Sequence, residues 1–243
     1  MRAMAAVDNP LPNRRYVRSL FDWLAPKYDV AVLLYSLGQD LRWKHELLRR
    51  VAPRRGESAL DLACGTGLIY DRLAKVLGPD SVVGLDINRT MLTSSRRVGV
   101  RRCTVQADSE ALPFRERSFD MVVAGYLFKY VALDRLAREA ARVLRVGGRF
   151  GGYDFSAPLL GTVAGRAYQR YLRQALPAMG RRFGHGDEGW SRLLDFLGEV
   201  ATTSGWETHV EDQLRAAGFD RVQIVPSLGG AITWVWAWLP STP

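Results

Sequence analysis

Apolar residues along the chain form two kinds of segment, short continuous runs and longer stretches with helical spacing. The continuous runs predict buried strands at residues 58–63, 82–85, 103–107, 118–124 and 143–150, the last of them crossing a glycine turn. Helical spacing follows the first run at residues 68–77, and amphipathic segments fill residues 16–50. Strands that alternate with helices indicate a parallel sheet covered by helices.

The carboxyl-terminal residues 222–243 contain no charged side chain and are almost long enough to span a bilayer. A proline and two glycines interrupt them, so the segment is better explained as two strands, at residues 221–225 and 231–239. On the second strand three tryptophans alternate onto one face, where they would pack beneath a helix or at a subunit or membrane contact: Trp234, Trp236 and Trp238. Core packing or a homodimer contact is the default interpretation.

The most informative motif follows the first predicted strand. Residues 61–67, Asp-Leu-Ala-Cys-Gly-Thr-Gly, place an acid just before a glycine turn. Gly65 and Gly67 allow the backbone to turn sharply and approach a ligand closely. Amides in the first turn of the next helix favour negative charge, while Asp61 offers an acceptor to a cation. A ligand that carries both an ammonium and a carboxylate would pair the ammonium with Asp61 and the carboxylate with the helix amides.

The nearest alternative is a dinucleotide-binding loop, which also joins a strand to a helix and has an acid about 20 residues downstream. Asp86 meets that spacing. The third glycine of the dinucleotide fingerprint, however, would fall at Tyr70, where close packing beneath a pyrophosphate needs a glycine. The loop therefore favours an adenosyl amino acid.

Two more acids end the next two predicted strands. Asp86 follows the second strand, where a carboxylate can accept both hydroxyls of a ribose; the alternative is that it only caps the helix starting near Asn88. Asp108 follows the third strand, and its side chain and the backbone amide of Ser109 could bind the edge of an adenine.

Together these segments resemble the class I S-adenosylmethionine-dependent methyltransferases, and within them the ubiquinone/menaquinone biosynthesis C-methyltransferase (UbiE-type) family. The resemblance covers roughly residues 15–238. The matching segments are residues 21–29, 61–67, 84–86, 106–114, 143–150, 154–156, 176–180 and 214–219. Those in the first half are specific for the cofactor, whereas those in the second half favour the family without fixing a substrate.

The resemblance implies an α/β, Rossmann-like class I methyltransferase fold. Its sheet would be mostly parallel and seven-stranded, with an antiparallel carboxyl-terminal strand at the carboxyl edge and helices on both faces. A single domain would span residues 1–243. Its parts would be a helical cap (1–50), a cofactor-binding core (51–155), a helical substrate lid (156–206), and a carboxyl-terminal helix and β-hairpin (207–243).

The resemblance also implies which residues bind S-adenosylmethionine. Asp61 and the glycine loop would hold the methionine part, Asp86 the ribose, and Asp108 with its neighbours the adenine. The predicted cofactor-binding residues are Tyr28, Asp61, Ala63, Gly65, Gly67, Asp86, Ile87, Asp108, Ser109 and Gly125. For Tyr28 the alternative is a core aromatic, and Met91 is interpreted as a core residue.

One departure concerns the substrate. After the fourth strand, quinone methyltransferases of this family typically carry Gly-Leu-Arg-Asn, whose arginine and asparagine are implicated in activating the substrate. This chain has Leu-Phe-Lys-Tyr at residues 127–130. Lysine keeps the positive charge without the planar fork, and a phenol replaces an amide. The departure weakens the assignment of a quinone substrate but not that of the cofactor.

The predicted catalytic residues are Lys129, Tyr130 and His185. A ring carbon of a phenol or hydroquinone becomes nucleophilic once the neighbouring hydroxyl loses its proton. Lys129 could stabilise the phenolate, while Tyr130 or His185 could relay the proton. The alternative is that Lys129 is a solvated loop residue and that His185 is exposed in a polar turn.

Composition indicates an intracellular enzyme with one core. The chain has 243 residues, of which 47% are hydrophobic, and its two cysteines, Cys64 and Cys103, provide no disulfide framework. No cysteine and histidine cluster has metal-ligand spacing, so no metal is predicted. The first residues lack the apolar core of a signal peptide, which makes a cytoplasmic location the default.

The net charge of +9 raises the question of an anionic partner. Much of the excess is scattered arginine, as at residues 96–97, 101–102 and 181–182, without a recognisable nucleic-acid module. We therefore expect solvated arginines and no nucleic acid. A peripheral contact with an anionic membrane would suit a prenylated, lipidic substrate.

Three functions are compatible with these features. Methyl transfer to a ring carbon of a small aromatic acceptor, a quinol or phenol, is the prediction, and the lid's match at residues 176–180 favours it. The alternatives are an O- or N-methyltransferase of specialised metabolism, which the departure at residues 129–130 favours, and a non-catalytic cofactor-binding protein. The acids at residues 61, 86 and 108 argue against the last.

Overall fold

The computed structural model describes residues 14–94, 102–156, 161–178 and 205–242. Its strands are β1 (Ala59–Leu62), β2 (Val82–Asp86), β3 (Cys103–Gln106), β4 (Phe119–Gly125), β5 (Leu144–Phe155), β6 (Arg221–Ser227) and β7 (Ile232–Trp238). They form one seven-stranded sheet in the order β3-β2-β1-β4-β5-β7-β6. Strands β1 to β5 are parallel, and β7 is antiparallel to both of its neighbours, which confirms the predicted fold class.

Helices cover both faces of the sheet. They are α1 (Arg14–Leu24), α2 (Tyr28–Tyr35), α3 (Asp40–Val51), α4 (Leu68–Leu77), α5 (Arg89–Ser94), α6 (Leu133–Val143), α7 (Val163–Arg170) and α8 (Val210–Ala216). Helices α3 and α4 pack on one buried cluster, and α6 and α8 pack on the other. Alternate residues of β7 belong to opposite clusters, as the two-residue period of a strand requires.

The predicted ends of β1 to β4 agree with the structure to within one residue. The fifth strand begins near its predicted position but continues to Phe155. Gly147 has a φ of +70° near its start, and the pairing with β4 shifts register there. Gly151, further along, lies so close to α3 that a Cβ would be 2.5 Å from Val51 Cγ1. The second half of this strand therefore packs directly against the helix.

The antiparallel strand predicted at the carboxyl edge is β7, but it lies one strand in from that edge, between β5 and β6. Trp234 and Trp236 are buried beneath α3, and the guanidinium of Arg221 lies 3.8 Å from the ring centre of half-buried Trp238. Core packing of Trp234 and Trp236 is thus confirmed, and the homodimer stays a prediction.

Part of the predicted lid lies within the described residues. Residues 161–178 include α7 and the π-helical turn Tyr171–Ala175. Residues 157–160 and 179–204, with the predicted catalytic residue His185, lie outside them, as do the arginines at 96, 97, 101, 181 and 182. Among the helices that the structure describes, none is long and apolar enough to cross a membrane.

Candidate functional site

A cavity of about 340 Å³ lies where β1, β2 and β4 end. Ligands of open parallel sheets bind at this edge. Eight of the ten predicted cofactor-binding residues line the cavity: Tyr28, Ala63, Gly65, Asp86, Ile87, Asp108, Ser109 and Gly125. Asp61, in β1, and Gly67, in the following loop, are not among the lining residues. Most of the predicted cofactor-binding residues therefore lie around one cavity, and their role in binding the cofactor stays a prediction.

The glycine loop after β1 has a left-handed backbone at several positions. Gly65 has a φ of +51° and Gly67 a φ of +82°, and the non-glycine Ala63 shares this conformation at +51°. The Gly65 N–H donates to Asp86 Oδ2 at 2.9 Å. The Thr66 hydroxyl donates to Asp29 Oδ1 at 2.6 Å, which connects the loop to the start of α2. The loop is thus fixed from two sides.

Arg102 packs over this loop. Its guanidinium bonds to both carboxylate oxygens of Asp71 at 2.8 and 2.6 Å and donates to the Thr66 carbonyl at 3.2 Å. Its side chain is only 6% exposed, so the expectation of a solvated arginine is wrong at this position. The side chain is buried because an acid in the first turn of α4 and a loop carbonyl provide its acceptors.

Asp61 lies within the fully buried strand β1, and its side chain is inaccessible to solvent. Among the described residues, no donor lies at hydrogen-bonding distance from either carboxylate oxygen, and burial, partly opposed by the Tyr70 backbone N–H, raises the pKa of this group to about 8. A buried carboxylate without donors is costly, and a cationic donor would stabilise its ionised form. The amino group of an adenosyl amino acid would supply the missing donors. The residues present fit the predicted cofactor in this respect.

Asp86 faces the cavity at the end of β2. Besides the bond from Gly65, its Oδ1 accepts the Asn88 N–H at 2.8 Å. The helix cap of α5 is Asn88 itself, whose Oδ1 accepts the Met91 N–H at 3.0 Å. The alternative that Asp86 only caps this helix is therefore wrong, because Asp86 supports both the glycine loop and the capping residue.

The far end of the cavity has an apolar and a polar side. Ile87, 47% exposed, and Met91, 3% exposed, line the apolar side. Met91 is thus buried, as its spacing indicated, and also lines the site. On the polar side, Asp108 Oδ1 accepts the Glu110 N–H at 2.9 Å, which fixes the turn containing Ser109.

Helix α1 forms a wall that sequence analysis did not single out. Val17, Arg18 and Phe21 line the cavity, and their spacing on one helical face is the signal that could have identified them. Asp22 Oδ1 on the same helix accepts bonds from the Asn88 side chain at 3.0 Å and from the Thr90 hydroxyl at 2.7 Å. The capping residue of α5 therefore also holds α1 in place.

Tyr28 is half-buried on the cavity surface, with its ring centre 6.0 Å from that of Phe21. Its position is therefore not that of a purely core aromatic. Burial raises the pKa of its hydroxyl well above the usual value, and the charge of Asp40 adds to the shift. The phenol consequently stays neutral and available as a donor.

Tyr126, which follows β4, was also not predicted. Its hydroxyl donates to Asp40 Oδ1 at 2.8 Å, and Asp40 forms an ion pair with Lys44. Asp40 and Lys44 are only 4% and 6% exposed. The Tyr126 ring stacks on Phe155 at 5.0 Å and lines the cavity. A buried polar network thus supports this wall.

Lys129 and Tyr130 lie on a 3₁₀ turn, Phe128–Tyr130, at the rim of the cavity. Tyr130 lines the cavity, whereas Lys129 is half-buried beside it, with Nζ 5.6 Å from the ring centre of Phe155. The Lys129 N–H donates to Asp154 Oδ2 at 3.3 Å. Burial lowers the pKa of Lys129 to about 8, although Asp154 opposes the shift. The alternative of a solvated loop lysine is therefore wrong.

The amino-acid sequence of the chain is similar to those of known methyltransferases. The sequence model of the ubiE/COQ5 methyltransferase family matches residues 11–239. The chain is 36% identical over 225 residues to the ubiquinone/menaquinone biosynthesis C-methyltransferase UbiE of Acidiphilium cryptum, covering 89% of this chain and 88% of the relative. It is 32% identical over 222 residues to a demethylmenaquinone methyltransferase of a Mycobacterium species, covering 90% and 92%.

Solved structures share the fold at low identity. The [4+2]-cyclase SpnF has a TM-score of 0.59 at 16% identity, covering 95% of this chain and 98% of its own. A methyltransferase of Thermotoga maritima, described as a possible histamine N-methyltransferase, has a TM-score of 0.59 at 17% identity, covering 91% and 98%. Since a cyclase and a methyltransferase share this architecture, the fold alone does not determine the reaction.

Proposed function

Because the chain belongs to the ubiE/COQ5 methyltransferase family, we propose that this S-adenosylmethionine-dependent methyltransferase methylates a ring carbon of a demethylated quinol. The observation that carries the choice of acceptor is Lys129, a half-buried cation on the same 3₁₀ turn as Tyr130, which lines the cofactor cavity. The names of the relatives, which place them in ubiquinone and menaquinone biosynthesis, support the same acceptor class.

We assign the cavity to S-adenosylmethionine residue by residue. Asp61 would hold the amino group of the methionine part against the glycine loop, with Ala63, Gly65 and Gly67. Asp86 would accept the ribose hydroxyls. The adenine would lie beside Ile87, Asp108 and Ser109, while Tyr28 and Gly125 would border the methionyl end. When bound, S-adenosylmethionine supplies a methyl group on a sulfonium sulfur, which a carbon nucleophile can displace.

Lys129 would act on the acceptor rather than on the cofactor. A quinol carbon becomes nucleophilic when the adjacent hydroxyl loses its proton, which leaves negative charge on oxygen. An ammonium group in a water-poor site stabilises that charge more strongly than one in bulk water. With a pKa of about 8, Lys129 is mainly protonated at neutral pH. Lysine contacts the oxygen as a point charge, without the bidentate geometry of arginine.

Asp154 favours the protonated form of Lys129. It is 1% exposed, and burial raises its pKa to about 6, so it is largely ionised at neutral pH. Its Oδ2 accepts the Lys129 N–H and its Oδ1 accepts the Phe155 N–H at 2.7 Å. The carboxylate therefore fixes the turn and opposes the loss of the lysine's proton.

Aromatic side chains would exclude water from the reacting atoms. Phe21 of α1 contacts Tyr28 at 6.0 Å and Tyr130 at 5.8 Å between ring centres. Burial raises the pKa of the Tyr130 hydroxyl well above its usual value, so it stays a neutral donor and acceptor. A proton relay through His185 stays a prediction, because that residue lies outside the described part of the chain.

Methylation of oxygen or nitrogen is the alternative, because residues 129–130 differ from the arginine and asparagine typical of the quinone enzymes. The division into cap, core, lid and hairpin is part of our proposal, since Tyr28 and Phe21 from the cap meet core residues in the cavity. The cytoplasmic location and the homodimer stay predictions.

The test is incubation with isotopically labelled S-adenosylmethionine and a panel of demethylated quinols and phenols, with mass spectrometry to locate the label. We expect the methyl group on a ring carbon ortho to a hydroxyl. Transfer only to oxygen or nitrogen would exclude the proposed acceptor. A protein that binds the cofactor but methylates no acceptor would favour the non-catalytic alternative.

A further inference from the structure

Four large apolar side chains are exposed along α2, the following turn and α3. Val30, Leu33, Leu37 and Leu41 are 54%, 42%, 52% and 51% exposed, and they recur every three or four residues. Leu37 lies in the turn with a φ of +53°, a conformation that leucine rarely adopts. Single exposed apolar residues are ordinary, but several on consecutive elements can mark a contact surface.

Helix α7 lies beside the end of α2 and contributes positive charge. Hydroxyls of Tyr168 and Tyr171 donate to the carbonyls of Tyr35 at 3.0 Å and Leu34 at 2.7 Å. Because Tyr168 faces inward, the opposite side of α7 and the turn after it faces solvent. Three exposed arginines occupy that side: Arg166, Arg170 and Arg173.

On the same side of the molecule, the start of α7 contacts the β6–β7 turn. Gly229 in that turn is so close to α7 that a Cβ would be 2.6 Å from Gly165 N. Leu228 and Val163, on either side of this contact, are 38% and 76% exposed. This turn and α7 both lie at the edge where the parallel strands end, which is also the edge of the cofactor cavity.

We propose that this surface is a docking face for an anionic lipid bilayer. The docking face comprises the apolar row Val30, Leu33, Leu37 and Leu41 and the arginines Arg166, Arg170 and Arg173. Apolar side chains bind a bilayer by entering its interfacial region, and arginines beside them pair with lipid phosphates. The net charge of +9 attracts the whole molecule to the same surface.

A second copy of the chain fits this surface less well. In a two-fold contact the same patch meets itself, so the three arginines of one copy would approach those of the other. Like charges across an interface are unfavourable. The inference rests on the proposed function only in explaining why the protein would dock. A prenylated quinol held in the bilayer would enter the cavity from the docked side of the protein. Docking itself requires no turnover.

The test is co-sedimentation of the full chain with vesicles of phosphatidylcholine alone or with phosphatidylglycerol added. We expect binding to the anionic vesicles that weakens as salt is raised. Replacing all three arginines by glutamine (Arg166→Gln, Arg170→Gln, Arg173→Gln) should lower the partition coefficient about 100-fold. Leu33→Ser combined with Leu37→Ser should lower it at least about tenfold, because two apolar side chains no longer enter the interface.

Matched controls lie at the opposite edge of the sheet. Arg54→Gln, Arg55→Gln and Lys75→Gln remove the same charge from exposed positions, and Val146→Ser removes an apolar side chain that is 42% exposed. Val146→Ser should bind like the unaltered protein, and the charge control should weaken binding far less than the three arginine substitutions on the docking face. Equal loss in the charge control would overturn the docking face in favour of general charge attraction.

Two further outcomes would overturn the inference. One is the absence of binding to anionic vesicles. The other is a concentration-dependent dimer that dissociates in the Leu33→Ser variant, which would make the apolar row a contact between copies. Methylation of a short-chain, water-soluble quinol should be unchanged in the docking variants. If that reaction were absent in the unaltered protein as well, the proposed function would fail while the docking result stood.

Discussion

The hydroxyl of Tyr126 donates to Oδ1 of Asp40 at 2.8 Å, although the two residues are 86 positions apart in the chain. Asp40 is also paired with Lys44 on the same helix. Since the Tyr126 ring lines the cavity, this bond connects the cavity wall to the first turn of α3. The stability of that wall therefore depends on a buried, charged network.

Removing the two partners of Asp40 should have unequal effects on stability. Tyr126→Phe deletes one hydrogen bond and should lower the free energy of unfolding by about 1–2 kcal/mol. Lys44→Met leaves a buried carboxylate without its counter-charge and should cost about 3–5 kcal/mol. Urea denaturation checks both values. The double variant Asp40→Asn, Lys44→Met should recover part of the loss, and a Lys44→Met cost below that of Tyr126→Phe would contradict the ion-pair assignment.

Replacing Asp61 should stabilise the ligand-free protein while weakening cofactor binding. The pKa of about 8 in the folded state lies above the unfolded value of about 4, so the folded state binds the extra proton between them. Stability contributed at this site therefore falls as pH rises from about 4 to 8. Asp61→Asn should raise the free energy of unfolding at neutral pH by about 4 kcal/mol.

Calorimetry on the same variant measures the second effect. Without a carboxylate to receive the ammonium, the cofactor should bind at least about 100-fold more weakly, since a charged hydrogen bond is lost in a buried site. Loss of stability together with unchanged affinity would show that Asp61 has a structural role only.

Cofactor binding should release a proton below pH 8. Asp61 must be ionised to receive the ammonium group, but burial keeps it largely protonated in the ligand-free protein. The apparent dissociation constant should therefore fall about tenfold per pH unit as pH rises towards 8, and rise again above it, because the cofactor's α-amino group, with an ordinary pKa of about 8, then loses its proton. Titration calorimetry in two buffers of different ionisation enthalpy gives the number of protons released. A binding constant independent of pH would contradict the linkage.

Gly67→Ala should damage the loop more than backbone strain alone explains. Its φ is +82°, and a Cβ would lie 2.7 Å from Arg102 Nη1, which Asp71 holds in place. Gly38 has a φ of +75° with nothing within 4 Å, so Gly38→Ala isolates the strain and should cost about 1 kcal/mol. Gly67→Ala should cost about 2 kcal/mol or more and weaken cofactor binding. Equal costs would mean that Arg102 moves aside freely.

The pH dependence of turnover tests the charge on Lys129. With its pKa near 8, the catalytic constant should fall as pH rises above about 8, because the ammonium is lost. Lys129→Arg should move that decline upward beyond about pH 10, since arginine stays protonated. Lys129→Met should lower the catalytic constant about 100-fold with cofactor affinity nearly unchanged.

Lys75→Met, at an exposed position on α4, is the matched control for these measurements. If Lys129→Met retains full turnover, or if its loss is accompanied by an equal loss of cofactor affinity, Lys129 does not act on the acceptor.

The parts of the site that sequence predicted are those with short-range signals. The acid and glycines at residues 61–67 lie within one turn, and Asp86 and Asp108 directly end strands whose apolar runs are legible in the sequence. These features depend on local backbone geometry, which residue type controls.

The parts that sequence missed depend on contacts between distant segments. Arg102 looks like one of many surface arginines until Asp71, 31 residues away, is seen to face it. Lys129 was a predicted catalytic residue, but its burial was not predicted, because Phe155 and Asp154, at the end of the longer-than-predicted β5, lie beside it. Burial of a charge is decided by its tertiary neighbours, so composition and spacing alone could not predict that either side chain is buried.

The place of β7 in the sheet also determines the order in which the chain can complete its fold. Strand β6 is made before β7 but, among the strands that the structure describes, pairs only with β7, so it lacks that partner until the last strand has been synthesised. Strands β1 to β5, with the whole glycine loop, can associate earlier. During synthesis the β5 edge is therefore open, and that edge is where a nascent chain risks pairing with another before β7 closes it.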